Sequence, residues 1–379
     1  GFTSNNMTIA NNQLNGWNLI MTNASGITGG TITNASIRNN GLDGINVDAS
    51  DGTKSLFGDT VGGSINFTSS QIVDNGQNVV GADGLRLRLY GGSSGNIQFN
   101  SSLIGNTTVL PVATQTNGVD FILGSAGFPG GSLTAAFLNS NVSGNNADGI
   151  LGLINGTGVA GQSFADISLS NSAVQVNNVA GIDLAVNNAG RLGLIIANNS
   201  LVDTNGSDGV HINATNANTS VAGFILNSSL TNNGQKTPPG LGNGLTGNFD
   251  SGATGNFTVT SATIGNTLVG GAQQNGLIFN VNQNSVATAT NVKLDILTST
   301  LSNNAVSGLA GNITGNNVGL NPTKGMQITL NQSTLANNGG NGAAFVVNNG
   351  ALLQMSVDNS FITGSGQNGM FVDISNAFS

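Results

Sequence analysis

The segment Asn177-Asn-Val-Ala-Gly181 decides the fold, because its pattern, Asn-x-x-x-Gly followed by an apolar residue, returns along the whole chain. Eleven steps separate the first such glycine, Gly16, from the last, Gly369, so the mean period is about 32 residues, which indicates a repeat architecture. The copies with this spacing, in the last of which Ser365 replaces Asn, are Asn12 to Gly16, Asn40 to Gly44, Asn145 to Gly149, Asn177 to Gly181, Asn205 to Gly209, Asn304 to Gly308, Asn338 to Gly342 and Ser365 to Gly369.

One repeat contains three short strands. Ile182-Asp-Leu-Ala-Val186 alternates apolar and polar residues, Leu192-Gly-Leu-Ile-Ile-Ala197 is a second apolar segment, and Leu201-Val202 is a third, before Asn205 begins the next repeat. Three strands and three turns per repeat predict an all-β chain, a single-stranded parallel β-helix of about twelve coils. We expect the motif Asn to stack into an amide ladder and the motif Gly to adopt a positive φ.

A second motif, Ser-x-(Leu/Val/Ile), recurs before the motif Asn, at Ser140-Asn-Val142, Ser172-Ala-Val174, Ser299-Thr-Leu301 and Ser333-Thr-Leu335. With this motif the repeats resemble those of right-handed parallel β-helix proteins, the pectin-lyase-like superfold that includes adhesins, autotransporter passengers and extracellular fibres. The resemblance implies the right-handed coil.

The domain prediction is one continuous β-helix over residues 1–379. Four repeats carry a longer spacing between Asn and Gly: Asn75 to Gly84, Asn106 to Gly118, Asn233 to Gly244 and Asn266 to Gly276. This predicts loop insertions at 76–83, 107–117, 234–243 and 267–275, all on one edge. Such an edge is either a binding face or a place where insertion costs little.

Composition restricts the class of protein. Charged residues are 6% of the chain, the net charge is −8, and the pI is near 4.2, which argues against nucleic acid as a partner. There is no cysteine and no apolar run long enough to span a bilayer, so we predict neither disulfides nor membrane insertion. This composition is common in secreted bacterial proteins, and the predicted location is secreted, extracellular or cell-surface.

A row of outward residues, two positions after each motif Gly, becomes apolar in the last third of the chain. The row there contains Ile278, Ala310, Ala344 and Phe371. An exposed apolar stripe of this kind indicates an interface. Cover by a neighbouring segment explains it equally well.

The search for an active site gives two groups of residues. Sequences such as Asn-Thr-Asp, Asp-Asp, Gly-His-Gly and Arg-Ile-Lys, which the resemblance to hydrolases of this superfold would require, are absent, so the prediction is that the chain is not an enzyme. The groups are Asp83, Arg86 and Arg88 with Asp120, and Asp203, Asp208 and His211 with Asp183. Surface ion pairs explain the first and a structural histidine explains the second.

A row of acidic or amide residues precedes the motif Gly, formed by Asp43, Asp83, Asn117, Asp148 and Asp208. Stacked carboxylates suit Ca²⁺, whereas turn formation alone also accounts for Asp-Gly and Asn-Gly. We expect no metal and no cofactor, with Ca²⁺ as the alternative.

The predicted function is structural: a fibre or filament subunit or a surface adhesin that assembles head to tail through uncapped ends. Its partners would be other copies of itself, neighbouring solenoid segments or surface glycans. The alternative is a carbohydrate-binding or carbohydrate-cleaving β-helix, similar to a lyase or depolymerase, with its site among loops 76–118. Loss of activity on acidic polysaccharides after replacement of Arg86 or Asp120 would favour that alternative.

Overall fold

The computed structural model describes residues 2–58, 63–78, 81–107, 114–125, 127–128, 130–156, 163–236, 242–268, 271–282, 289–315 and 325–375. Within these ranges the chain forms strands and turns without a helix, and the strands belong to three parallel sheets. The chain passes from sheet A to sheet B to sheet C and back again. It is therefore a parallel β-helix of about twelve coils with three strands per coil, and the predicted fold class is confirmed.

The three sheets differ in strand length, with short strands throughout sheet B. Sheet A contains β1 (Phe2–Asn5), β4 (Gly26–Ile27), β5 (Gly30–Thr33), β8 (Leu56–Phe57), β9 (Ile65–Thr68), β12 (Ser93–Asn100), β15 (Gly131–Leu138), β18 (Ser163–Ser170), β21 (Arg191–Ala197), β24 (Ser220–Leu226), β27 (Thr254–Thr260), β30 (Asn291–Leu297), β33 (Gly325–Asn331) and β36 (Leu352–Asp358). Sheet B contains β2 (Thr8–Ala10), β6 (Ser36–Arg38), β10 (Gln71–Val73), β13 (Leu103–Gly105), β16 (Asn141–Ser143), β19 (Ala173–Gln175), β22 (Leu201–Asp203), β25 (Ser229–Thr231), β28 (Thr263–Gly265), β31 (Thr300–Ser302), β34 (Thr334–Ala336) and β37 (Phe361–Thr363). Sheet C contains β3 (Trp17–Ile20), β7 (Ile45–Ala49), β11 (Leu85–Leu89), β14 (Val119–Leu123), β17 (Ile150–Asn155), β20 (Ile182–Asn187), β23 (Val210–Thr215), β26 (Leu245–Asp250), β29 (Asn275–Asn282), β32 (Ser307–Thr314), β35 (Ala343–Asn348) and β38 (Met370–Ser375).

The chain divides into two compact units, residues 1–185 with 189–193 and residues 186–188 with 194–379. The prediction of one continuous domain stays a prediction. The predicted insertions at 76–83, 107–117, 234–243 and 267–275 fall partly outside the described residues, so their position on a common edge also stays a prediction.

The core is formed by the inward residues of each strand. In β12 and β15 every second residue is buried, as the period of two requires. Phe67, Phe99 and Phe137 are in register on neighbouring strands, and their rings stack with 5.2 Å between successive centroids. Stacked aromatic pairs add about 0.5–1.5 kcal/mol each beyond the burial of their surface. In the second unit the rings of Phe249, Phe257 and Phe279 also meet, but there the Phe257 ring is edge-on to the other two.

Buried amides form a ladder at the corner between sheets B and C. In the first unit Asn12 Nδ2 donates to Asn40 Oδ1 at 2.8 Å, Asn40 Nδ2 donates to Asn75 Oδ1 at 2.9 Å, and Asn145 Nδ2 donates to Asn177 Oδ1 at 2.8 Å. The second unit repeats this contact at 3.0 Å between Asn205 and Asn233 and between Asn304 and Asn338. Each amide thus satisfies a buried neighbour one coil away.

Glutamine replaces asparagine in the ladder in two of the four repeats that have a longer spacing between Asn and Gly. Gln115 Oε1 accepts from Asn75, and its Nε2 donates to Asn145 Oδ1 at 3.1 Å. Asn106, the expected motif residue of that repeat, instead ties down the ends of the insertion: its Oδ1 accepts from Thr114 N and Gln115 N. Gln273 and Asn266 divide the two roles in the same way in the second unit.

The motif glycine is required for space, and the expectation of a positive φ there is wrong. Positive φ angles belong to other turn residues, among them Asn39 and Val176, each directly before a ladder residue. A Cβ atom on Gly149 would lie 2.6 Å from the Gly181 carbonyl oxygen and 2.8 Å from Asn177 Nδ2. Because the next coil passes so close, only glycine fits.

A second ladder, of serine hydroxyls, lies at the corner between sheets A and B. Ser102 Oγ accepts from Ser70 N at 3.2 Å, and Ser140 Oγ accepts from Ser102 N at 3.1 Å. Each hydroxyl also donates within its own coil, as Ser102 Oγ does to Asn100 O at 3.0 Å. The serine of the Ser-x-Val motif is therefore a buried connection between coils, which the sequence pattern alone did not reveal.

Replacing Asn145 by Ala tests the amide ladder. The change leaves Gln115 Nε2 buried without its acceptor, so we expect the free energy of unfolding to fall by about 2–3 kcal/mol. The control is Asn146→Ala, because the adjacent Asn146 side chain is exposed. The measurement is urea unfolding followed by circular dichroism. Equal decreases in the free energy of unfolding of the two variants would contradict the proposed contribution of the amide ladder to stability.

Candidate functional site

The first group of charged residues lies on the outward face of sheet C in the first unit. In β11 the leucines at 85, 87 and 89 point into the core, so Arg86 and Arg88 point outward. The register places Arg86 beside Asp120 of β14. It places Arg88 beside Asp48 of β7.

Two ion pairs give this face its geometry. Arg88 Nη2 lies 2.5 Å from Asp120 Oδ2, and both side chains are largely buried. Arg86 Nη1 lies 3.8 Å from Asp43 Oδ2, and its own side chain is 42% exposed. Asp120 is thus next to Arg86 in register but pairs closely with Arg88, whereas Arg86 is held loosely and presents its guanidinium to solvent.

The Asp43–Arg86 contact was not foreseen from the sequence. The sequence places Asp43 in the row that precedes the motif Gly, which makes it a Ca²⁺ candidate and does not indicate an arginine as its partner. The available signal was position: Asp43 precedes β7, the strand paired with β11, so its corner lies one coil from Arg86.

Carboxyl and amide groups bond from coil to coil along this corner. Asp43 Oδ1 accepts from Asp83 N at 2.8 Å, and Asp83 Oδ1 accepts from Asn117 N at 3.1 Å and from Asn117 Nδ2 at 2.9 Å. Asn117 Oδ1 in turn accepts from Asp148 N at 3.0 Å. These side chains satisfy backbone N–H groups in the adjacent coil, which gives them a structural role beside any chemical one.

Burial makes two of these carboxyls hard to ionise. Burial raises the pKa of Asp83 to about 8, and the negative charges of Asp120 and Asp43 act in the same direction. Burial also raises the pKa of Asp43 above its ordinary value, against the opposing effects of the Asp83 backbone hydrogen bond and of Arg86. The face therefore combines an exposed cation with acids that hold their protons unusually well.

In the second group of predicted residues, Asp203 lies in sheet B, whereas Asp183 and His211 lie on neighbouring strands of sheet C. Asp203 lies in β22, where it accepts from Thr231 Oγ1 at 2.6 Å and from Asn232 Nδ2 at 2.9 Å. Asp183 lies in β20 and His211 in β23.

Asp208 lies at the corner before β23. Its Oδ1 accepts two hydrogen bonds from Asn243, one from the backbone N at 2.7 Å and one from Nδ2 at 3.0 Å. Burial raises the pKa of Asp208, while hydrogen bonds and the charge of His211 oppose this.

His211 begins a row of outward amides on sheet C of the second unit. Asn248 Nδ2 lies 3.1 Å from His211 Nε2, Asn280 Nδ2 donates to Asn248 Oδ1 at 2.7 Å, and Asn312 Nδ2 donates to Asn280 Oδ1 at 2.8 Å. Because Asn248 Oδ1 is used as an acceptor by Asn280, its Nδ2 is the donor to Nε2. The imidazole of His211 is thus hydrogen-bonded to the first amide of this row.

The predicted apolar stripe is continuous in register. Ile278 of β29, Ala310 of β32, Ala344 of β35 and Phe371 of β38 are neighbours on the outward face of sheet C. The first three are half-buried and Phe371 is exposed. Their role as an interface stays a prediction.

Metal ligands are not gathered in the part of the chain that the structure describes. No group of three or more His, Asp, Glu or Cys side chains among those residues could hold a metal ion. The Ca²⁺ alternative for the acidic row stays a prediction. The same residues include no helix that is long and apolar enough to cross a membrane.

No protein-family model matches the sequence, and no curated protein matches it. Two solved structures do, both of mutants of the periplasmic alginate epimerase AlgG. The double mutant is 12% identical over 88% of this chain and 77% of its own, with a TM-score of 0.43. The other mutant is 12% identical over 92% of this chain and 72% of its own, with a TM-score of 0.35.

The three parallel sheets give the chain the fold of a parallel β-helix protein. The prediction that it is not an enzyme is corrected by the same comparison, since the similar β-helix structures are those of an enzyme. At 12% identity no residue role is carried over from them. The comparison gives no support to the predicted fibre or adhesin role.

Stability against pH tests the buried carboxyl of Asp83. Between about pH 4 and pH 8 the unfolded chain has lost a proton that folded Asp83 retains, so the free energy of unfolding falls as the pH rises through this range. Asp83→Asn should remove that part of the fall, because Asn occupies the equivalent position at 117 and keeps an acceptor oxygen.

The measurement is urea unfolding at several pH values from 4 to 9. Asp358→Asn, which removes one charge from an exposed residue, is the control. An unchanged pH profile in Asp83→Asn would mean that Asp83 is ionised in the folded protein.

Proposed function

We propose that this chain is a carbohydrate-active β-helix that binds an anionic, uronate-containing polysaccharide on the outward face of β7, β11 and β14. This is a proposal for an extracellular or cell-envelope protein, in line with the low charge and the absence of cysteine. The observation that carries it is the half-exposed Arg86 guanidinium, loosely held by Asp43 and set next to the closed Arg88–Asp120 pair.

The two arginines have different roles in this proposal. Arg88 is committed to Asp120 and fixes the position of that carboxylate on the strand. Arg86, whose contact to Asp43 is 3.8 Å long, has donors left for a ligand. A guanidinium binds a carboxylate through two parallel hydrogen bonds, which favours a planar anionic group such as the carboxylate of a uronic acid.

The reaction class best supported is removal of a proton from the carbon next to the sugar carboxylate. When that C–H bond breaks, its electron pair becomes delocalised onto the carboxylate oxygens, and Arg86 would stabilise the added charge. Asp43, the carboxyl nearest to Arg86, with a raised pKa, is our candidate to exchange the proton. Protonation of the resulting carbanion by water on the other face of the ring gives epimerisation, while departure of the adjacent glycosidic oxygen, which takes up the proton held by Asp43, gives elimination.

Replacing Arg86 by Ala tests this proposal. We expect affinity for alginate or polygalacturonate to fall about tenfold, since one charge-assisted pair is lost. The matched control is Arg191→Ala, because Arg191 is an exposed arginine of the same unit that pairs with Asp166 at 3.1 Å on sheet A. Affinity is measured by isothermal titration calorimetry, with neutral dextran as the control polymer.

Activity has separate readouts for the two outcomes. Epimerisation changes the anomeric proton signals of the polymer, and elimination produces an unsaturated uronate that absorbs ultraviolet light. Equal losses of affinity in the Arg86 and Arg191 variants would show that binding depends on the total charge and not on Arg86. Binding of dextran with the same affinity would contradict the proposal that Arg86 recognises a carboxylate.

A further inference from the structure

A groove of about 350 Å³ lies on the outward face of sheet A in the second unit, away from every residue discussed so far. It crosses the first residues of β27, β30, β33 and β36 and is lined by Thr254, Asn291, Lys293, Gln327, Leu352 and Gln354. Its volume is within the range of pockets that hold one small molecule.

The groove exists because one outward side chain is missing. Asn291, Gly325 and Leu352 are in register on three neighbouring strands, so Gly325 leaves a gap between two side chains. A side chain at 325 would collide with the Leu352 carbonyl oxygen, and the φ of +147° there also favours glycine. The Gly325 N–H donates to Asn291 Oδ1 at 3.3 Å, which holds the Asn291 amide beside the gap.

The next row of outward residues gives the groove its chemistry. Lys293, Gln327 and Gln354 are in register on β30, β33 and β36. Lys293 Nζ pairs with Asp295 Oδ2 at 2.6 Å, so its charge is neutralised locally. Within the described ranges neither glutamine carboxamide makes a side-chain hydrogen bond, in contrast to the bonded amides of Asn248 and Asn280 on sheet C.

The groove also has one exposed apolar side chain. The side chain of Leu352 is 41% exposed at the end of the groove. The ligand that suits this combination has no net charge, offers several adjacent donors and acceptors, and presents one C–H surface. A carboxamide supplies one donor and one acceptor in a plane, which matches two neighbouring hydroxyls.

We propose that this groove binds one neutral hexopyranose residue, with its hydroxyls on the carboxamides of Gln327 and Gln354 and its C–H face on Leu352. The Asn291 amide and the Lys293 ammonium are further donors at its edge. This site is independent of the Arg86 face. It differs from that face in ligand class, because here the cation is already paired.

Saturation-transfer NMR with methyl glucopyranoside, methyl galactopyranoside and methyl mannopyranoside tests the proposal. We expect at least one of them to bind with a dissociation constant on the order of 1 mM, typical of a single small ligand with few contacts. The double variant Gln327→Ala, Gln354→Ala should weaken binding at least about tenfold. The control is Asn256→Ala, in the same outward row one coil away and outside the groove lining.

Two further measurements fix the ligand class. Lys293→Met should change the affinity for the neutral glycoside by less than about threefold, since the ammonium is one donor among several. Arg86→Ala should leave this binding unchanged, which separates it from polysaccharide binding on sheet C.

Three results would overturn the proposal: no saturation transfer from any of the glycosides, binding that survives the double glutamine variant, or tighter binding of galacturonate that Lys293→Met abolishes.

Discussion

Along the described ladder an amide donates to the amide oxygen of the next coil, and these hydrogen bonds fix the spacing between coils at the corner. Neighbouring strands in a sheet lie about 4.8 Å apart, and a chain of primary amides bonds at the same interval. The coils therefore have to place the same group at the same corner every time, although the repeat length itself varies. Gln115 shows how strictly this holds: where the insertion after Asn106 shifts the chain, a longer side chain reaches the position that asparagine holds elsewhere.

The same constraint explains the glycine of the motif and the location of variability. Gly44 and Gly149 face the backbone of the next coil so closely that any Cβ atom would meet a carbonyl oxygen or a ladder amide. A loop can be inserted at a corner if it extends outward, but a side chain cannot be added between the stacked coils. Functional diversity is therefore confined to outward side chains and to insertions, because the inward side and the ladder positions are committed to packing. Arg86 and the Gly325 gap are both changes on outward positions that leave the coil stacking intact.

The sequence predicted the elements that repeat and missed those that depend on contacts between coils. The three strands per coil followed from alternation in segments such as Ile182–Val186, because the period of two is a local property. The prediction of a positive φ for the motif Gly was wrong, because a sequence pattern cannot distinguish a glycine needed for its backbone angle from one needed because a side chain would not fit. The role of Gln115 was missed because its distance along the chain from Asn75 differs from the spacing of the motif. The partner of Arg86 was missed because it depends on which residues of neighbouring coils lie side by side, which the sequence of one coil does not show. The absence of enzyme signatures was a poor guide to function, since short motifs report only on sites already known.

Stacking identical groups has opposite consequences for amides and for carboxyls. An amide has both a donor and an acceptor, so a row of Asn residues is self-satisfying, as Asn243 and Asn275 are in the row before the motif Gly. Ionised carboxylates are acceptors only, and two of them in adjacent coils repel each other. Burial raises the pKa of Asp83, and the repulsion from its acidic neighbours raises it further. Asn117 shows that an amide fits this row in the same unit, so Asp43 and Asp83 are less stable choices than the fold allows. A local choice that gives up stability is a candidate for a functional role. Asp43 lies directly beside the exposed Arg86, and of these acids it is the one that we propose exchanges a proton with a ligand held there.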